Sequence, residues 1–227
     1  MKQIQKGLPV KRRTFLFKAK QLLSYFWPVT IDRCGDDPKV KLVLEFGKLV
    51  VNKGAANYSY GQLQAAFAEF FDRADIQWDD IHDVLILGYG MGSVADLVEA
   101  KNPEVNVFAV ELQPCLLQWE KEYFNDHTRT LICDDAFKFI EGNTRRYDMI
   151  VVDIFEELDV PEPFRQMEFL QHCSDQLQPG GSLIYNFVID REEHRTQYAD
   201  LQVHLSDLFR QVTSSEHFGV NRIILAK

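Results

Sequence analysis

From residue 83 onward, short apolar runs alternate with helix-like segments at intervals of about 20 residues, a spacing that builds βαβ units and a parallel sheet. Asp83 to Leu87 is almost wholly apolar, as expected of a strand buried on both faces. Further strands are expected over 105–110, 129–133, 147–152 and 182–188. Helices are expected over 93–100, 114–123, 135–141, 164–177 and 194–209, and Pro179-Gly-Gly181 reads as a turn. The last stretch breaks the alternation. Strands expected at 211–214 and 220–226 are separated by about five residues, whereas a parallel crossover needs about a dozen. The two must be antiparallel. The fold expected is α/β: a doubly wound sheet, mostly parallel, closed by a terminal antiparallel hairpin.

The region before residue 80 has a different texture. Residues 40–52 alternate apolar and polar positions on both sides of Gly47-Lys48, which reads as a β-hairpin. Leu63, Ala66, Phe67, Phe70 and Phe71 recur at helical spacing over 58–73. The chain therefore divides into a basic arm and helix (1–30), a small β-rich cap with a connecting helix (31–80) and an α/β domain (81–227).

Charge and cysteine content narrow the function classes. Lys and Arg number 25 against 34 Asp and Glu, a net charge of −9, which disfavours general nucleic-acid binding. The first 20 residues run against this trend, with Lys2, Lys6, Lys11, Arg12, Arg13, Lys18 and Lys20 and no acid. This is read as a solvated arm, or as one that docks on an acidic protein surface. Cys34, Cys115, Cys133 and Cys173 are far apart in sequence and show no zinc spacing, so buried free thiols and a cytoplasmic protein are expected. No apolar run approaches the ~20 residues of a membrane span, and no metal spacing is seen among the six His. Neither a membrane nor a metal is expected.

The chemistry concentrates at the ends of the expected parallel strands. Gly88, Gly90 and Gly92 follow the first of them and let a ligand approach the backbone closely. The helix starting near Ser93 is expected to offer N–H groups and partial positive charge. Glu111 closes the next strand, where a carboxylate can accept from both hydroxyls of a ribose. Asp134-Asp135 follows the third strand and Asp153 the fourth. Asp135 is read either as an acceptor for an adenine amino group or as a helix N-cap.

These residues resemble the class I methyltransferase fold and, within it, the spermidine synthase family. The resemblance rests on VLILGYGMGS (84–93), AVELQP (109–114), CDDAFKFI (133–140), RYDMIVVDIFEE (146–157), LQPGGSLIYN (177–186) and the upstream NYSYGQL (57–63). It implies S-adenosylmethionine or its decarboxylated form as cofactor. By the resemblance, Gly88, Gly90 and Gly92 border the cofactor, Glu111 and Leu112 hold the ribose, and Asp135 with Ala136 holds the adenine. Asp153 and Tyr60 would be catalytic, Asp153 activating the attacking nucleophile and Tyr60 lying beside it. The expected partners are a small-molecule acceptor, an amine among the candidates, and a second copy in a homodimer.

Three stretches depart from the family. The acids usual before the tyrosine segment give way to Ala55-Ala56-Asn57-Tyr58, the motif after the fourth strand reads Asp153-Ile-Phe-Glu156-Glu157 without its small serines, and the glycine turn has lost its acid. The first turn typically reads GGDGG, with an acid that handles amine groups, and here that position is Met91. A site short of carboxylates attracts a polycation less. The expectation is therefore methyl or aminopropyl transfer, with the intact cofactor bound at least as well as the decarboxylated one and Met91→Asp reversing that preference. The alternative is a nucleoside-binding protein that keeps the fold without catalysis. An NAD-dependent oxidoreductase is disfavoured by the terminal antiparallel strands.

Overall fold

The computed structural model describes residues 14–35, 37–53, 56–57, 62–124, 128–156 and 158–227. Helix α1 (Phe15–Leu23) starts at Thr14, whose hydroxyl accepts the Phe17 N–H at 3.2 Å. Four antiparallel strands follow in spatial order: β1 (Val29–Arg33), β2 (Val40–Glu45), β3 (Lys48–Lys53) and β4 (Ala56–Asn57). The expected hairpin is present, with its turn one residue earlier than the sequence suggested. Glu45 pairs with Lys48, so Phe46 and Gly47 form the loop, with φ of 48° and 77°. Positive φ at both positions matches the right-handed twist of the flanking strands. The resulting register buries Leu42, Leu44, Leu49 and Val51 on one face.

The remainder is a seven-stranded sheet. Its strands are β5 (Asp83–Leu87), β6 (Asn106–Glu111), β7 (Thr130–Cys133), β8 (Tyr147–Val152), β9 (Leu177–Val188), β10 (Val212–His217) and β11 (Asn221–Ala226). Their spatial order is β10-β11-β9-β8-β5-β6-β7. The pairs β8/β5, β5/β6, β6/β7 and β8/β9 are parallel, and β11 runs antiparallel to both β9 and β10. The chain runs from β5 to one edge and then resumes at β8 on the other side of β5. That reversal opens a crevice at the carboxyl ends of β5 and β8. The helices are α2 (Gln62–Arg73), α3 (Ser93–Lys101), α4 (Pro114–Trp119), α5 (Ala136–Gly142), α6 (Glu162–Arg165), α7 (Met167–Asp175) and α8 (Glu192–Leu208). One apolar cluster on the sheet is formed with Ile140, Phe169, Leu201 and Leu205, and another with Phe67, Phe71, Val94 and Val98.

Three expectations are corrected. Pro179–Gly181 lies within β9, where pairing jumps from Tyr147↔Leu177 to Met149↔Ser182, so these residues bulge out of one strand without separating two elements. Cys34 and Cys115 are not free thiols. They form a disulfide with Cα atoms 5.5 Å apart, and only Cys133, exposed, and Cys173, buried, remain free. The pair joins the end of β1 to the first turn of α4 and removes the ground for inferring a reducing compartment from cysteine usage. Among the described residues, no helix is long and apolar enough to cross a membrane, and no group of three metal-ligating side chains comes together.

The third correction concerns Met91. Its side chain is 1% exposed and packs in a cluster with Phe17, Leu42, Leu44, Leu116 and Trp119. A carboxylate there would be buried among apolar groups. Met91→Asp is therefore expected to destabilise the fold by about 3 kcal/mol or more instead of retuning cofactor preference. Met91→Leu should cost less than about 1.5 kcal/mol. Urea unfolding of both variants tests this, and an Asp variant as stable as the wild type would show that residue 91 turns outward.

Candidate functional site

The crevice is built strand end by strand end. At the end of β5, Gly88 has φ 89°, and a Cβ there would lie 2.2 Å from the Asp153 carbonyl oxygen. Only glycine lets the two strand ends approach this closely. The N–H groups of Gly88 and Tyr89 both donate to Val110 O, at 3.0 and 3.1 Å, and Gly92 N–H donates to Tyr89 O at 2.9 Å. The glycine turn is thus tied down by its own backbone. What the turn itself gives a ligand is room.

Glu111 fastens the turn from the neighbouring strand. Its Oε2 accepts Gly90 N–H at 2.9 Å and its Oε1 accepts Gln113 N–H at 2.8 Å. The residue is 8% exposed, and burial raises its pKa while the N–H groups of Gln113, Gly90 and Leu112 oppose the rise. A carboxylate has about four acceptor positions, so each oxygen keeps capacity for a ligand hydroxyl. The Leu112 side chain is 58% exposed beside it.

At the end of β7, Asp135 is the N-cap of α5. Its Oδ1 accepts from Phe137 N–H at 2.9 Å and Lys138 N–H at 3.1 Å, which leaves Oδ2 for a further donor. Ala136, the first residue of α5, is buried in the core. Asp134 N–H donates to Glu111 O at 3.2 Å, so the ends of β6 and β7 are directly joined.

Asp153 follows β8, and its N–H donates to Leu87 O at 2.9 Å. Asp153 is half-buried, and the desolvation of its carboxyl pushes its pKa up to about 6. The Asn186 side chain, donating to Oδ1 at 2.9 Å, opposes the shift. Asn186 itself accepts from Asn221 at 3.3 Å. The sequence reading missed this asparagine pair. A lone amide inside the apolar run of β9 was the available signal, because a buried amide needs partners.

Arg129 was also missed. This buried guanidinium donates to Glu99 from Nε at 2.7 Å, to Asp96 from Nη2 at 2.5 Å and to Tyr89 Oη from Nη1 at 2.9 Å. It binds the first turns of α3 to the glycine loop. A Cβ on Gly92, at φ 78°, would lie 2.5 Å from Nη1. Glu120 adjoins the same network. Burial pushes its pKa up to about 7, against the attraction of Arg129. The folded state therefore holds a proton that the unfolded chain releases from about pH 4.5 upward, so this contribution to stability is lost as pH rises towards 7. Glu120→Gln should flatten the fall in stability between pH 4.5 and 7 by an amount on the order of 3 kcal/mol, measured by urea unfolding across that range. Parallel wild-type and variant profiles would refute it.

Asp135, Glu111, the glycine turn and Asp153 thus stand on four consecutive strand ends, β7, β6, β5 and β8. At about 4.8 Å per strand they span roughly 14 Å of one rim. The predicted site residues Gly88, Gly90, Glu111, Leu112, Asp135, Ala136 and Asp153 all lie along this rim. Gly92 sits one step behind it, against Arg129. Tyr60 falls outside the described residues.

Residues 76–218 match the family model described as the spermine/spermidine synthase domain. A polyamine aminopropyltransferase of Vibrio vulnificus is 30% identical over 109 residues, covering 45% of this chain and 36% of that protein. An eEF1A lysine and N-terminal methyltransferase homolog of Drosophila melanogaster is 28% identical over 127 residues, covering 51% of this chain and 19% of that protein. The match spans between 19% and 53% of the length of these and other curated relatives. Among solved structures, human methyltransferase-like protein 13 in complex with SAH aligns with TM-score 0.61 at 22% identity, over 74% of this chain and 82% of that one. The match to the family model covers well over half of the sequence, and the chain belongs to the spermine/spermidine synthase domain family.

Proposed function

We propose that the chain is a group transferase that uses S-adenosylmethionine or its decarboxylated form, and that moves a methyl or aminopropyl group to a small nucleophile. The observation that carries this reading is the order of groups along the rim. An acceptor beside a buried helix start (Asp135), a strand-end carboxylate (Glu111), an open glycine turn and a desolvated carboxyl (Asp153) match, in sequence and length, a base, a ribose and a charged chain. The residues fit such a cofactor on their own chemistry. Both Glu111 oxygens keep lone pairs after their backbone bonds, and the neutralised Asp153 carboxyl is one that a neighbouring cation would ionise.

A sulfonium cofactor supplies a carbon already activated for displacement. The protein's part is then positioning and proton handling. Glu111 orients the ribose, and the glycine turn admits it without a Cβ in the way. Asp153, held by Asn186, takes the proton from the incoming nucleophile, and burial keeps water from competing for it. The relatives named for aminopropyl transfer and for methyl transfer both support the reaction class.

Isothermal titration with S-adenosylmethionine, its decarboxylated form and methylthioadenosine tests the reading. At least one is expected to bind below millimolar concentration. No binding of any of the three overturns the proposal. Binding with no transfer to any amine tried would favour a nucleoside-binding protein without catalysis.

A further inference from the structure

A second constellation sits at the far edge of the sheet, four strands from β5, or about 19 Å at the usual strand spacing. Side chains of edge strand β10 alternate, so Thr213, Ser215 and His217 share one face. That face meets α2. The His217 ring is 2% exposed and stands edge-on to Phe70, with centroids 6.4 Å apart. Its Nδ1 lies 3.0 Å from Glu69 Oε2, and its Nε2 lies 2.7 Å from Ser215 Oγ.

The charge states follow from the partners. Glu69 is held below the usual carboxylate range by its bond to His217 and by Arg73, which pairs with its other oxygen at 2.8 Å. An ionised Glu69 places the imidazole proton on Nδ1. Nε2 is then left as an acceptor, and the Ser215 hydroxyl donates to it. Ser215 also lines a cavity of about 290 Å³, with Phe70, Arg73, Thr213, Leu225 and Lys227 in its walls. A serine, a histidine and a carboxylate in hydrogen-bonded series, with the serine in the wall of a cavity, are the parts of an activated nucleophile.

We propose that Ser215, His217 and Glu69 form a second catalytic site that hydrolyses small carboxylic esters. Ser215 Oγ attacks the ester carbonyl carbon as its proton moves to His217 Nε2. The C–O ester bond breaks, and the leaving alkoxide takes that proton and departs as the alcohol. A water molecule, deprotonated by the same nitrogen, then cleaves the Ser215 acyl ester. The carboxylic acid is released and the proton returns to Oγ. Glu69 is a positioning residue that fixes the tautomer. The cavity wall carries both signs of charge: Arg73, which is paired with Glu69; Asp75; and Lys227, whose ammonium donates to Asp75 O.

The deciding experiment treats the intact wild-type chain with a fluorophosphonate probe and maps the adduct by peptide mass spectrometry. The expected result is one modified peptide carrying the label on Ser215. Hydrolysis of p-nitrophenyl hemisuccinate should fall at least 100-fold in Ser215→Ala and in His217→Gln, and about tenfold in Glu69→Gln. In Glu69→Asp, which restores the carboxylate, part of the rate should return. An unlabelled wild-type chain, or a label only at other residues, overturns the proposal without reliance on any variant. So does a Ser215→Ala protein that hydrolyses the ester at the wild-type rate.

Discussion

Asp153→Asn is expected to lower the rate of group transfer by about 10²–10⁴-fold, the range for removing a positioned proton acceptor. The amide keeps the size of the side chain and can still accept from Asn186, so the cofactor site should stay intact. In the wild type, the rate should rise with pH through about 6, because only the ionised carboxylate can take a proton. The same group makes a second, opposite prediction. The folded-state pKa lies above the unfolded value of 3.8, so folding favours the neutral acid. The stability this brings is present at low pH and is lost as pH rises through about 6. The wild type should therefore lose on the order of 3 kcal/mol relative to the asparagine variant across that range. Single-turnover kinetics and thermal melts above pH 6 check both: the variant should be slower and more stable. A variant within threefold of the wild-type rate would remove Asp153 from the chemistry.

Glu111→Ala should weaken nucleoside binding by about 2–4 kcal/mol, roughly 30- to 1000-fold, because two charge-assisted hydrogen bonds to the ribose are lost together. The structure adds a second route to the same loss. Glu111 also accepts Gly90 and Gln113 N–H groups, so removing it frees the glycine turn. Glu111→Gln separates the two contributions. Its amide oxygen can still brace one N–H, and its loss of affinity should fall between those of the wild type and the alanine variant. Titration calorimetry with one nucleoside reads all three proteins. A loss in Glu111→Ala below about 0.5 kcal/mol would leave Glu111 as a brace for the turn and nothing more.

The α/β body was legible because buried parallel strands carry their own signal. The expected bounds of β5 and β8 coincide with those observed, since both are apolar runs flanked by polar or glycine residues. The antiparallel pairing of β10 and β11 followed from chain length alone. The failures share a physical cause: each depended on where a side chain points across a long sequence separation. Met91 was read as facing the ligand because it stands where the family has an amine-binding acid, and the cluster that claims it is assembled from α1, β2 and α4. The Cys34–Cys115 pair closes 81 residues of chain, and local spacing carries no trace of it. Arg129 looked like an ordinary charge before a strand until α3 supplied Asp96 and Glu99. For Asp135, the choice between cap and ligand was a false one, since one oxygen caps α5 and the other remains available.

The contact between Gly88 and the Asp153 carbonyl bears on how new acceptor preferences can arise in this chain. It couples two strand ends through main-chain atoms, which substitution cannot reposition. In the proposed reaction, the spacing between cofactor and proton acceptor is therefore inherited with the backbone. Diversification must be written into side chains beyond the end of β8, the segments 154–156 and 158–166, which can change without moving that pair. A library for altered acceptor scope should randomise those segments and leave residues 88 and 153 untouched.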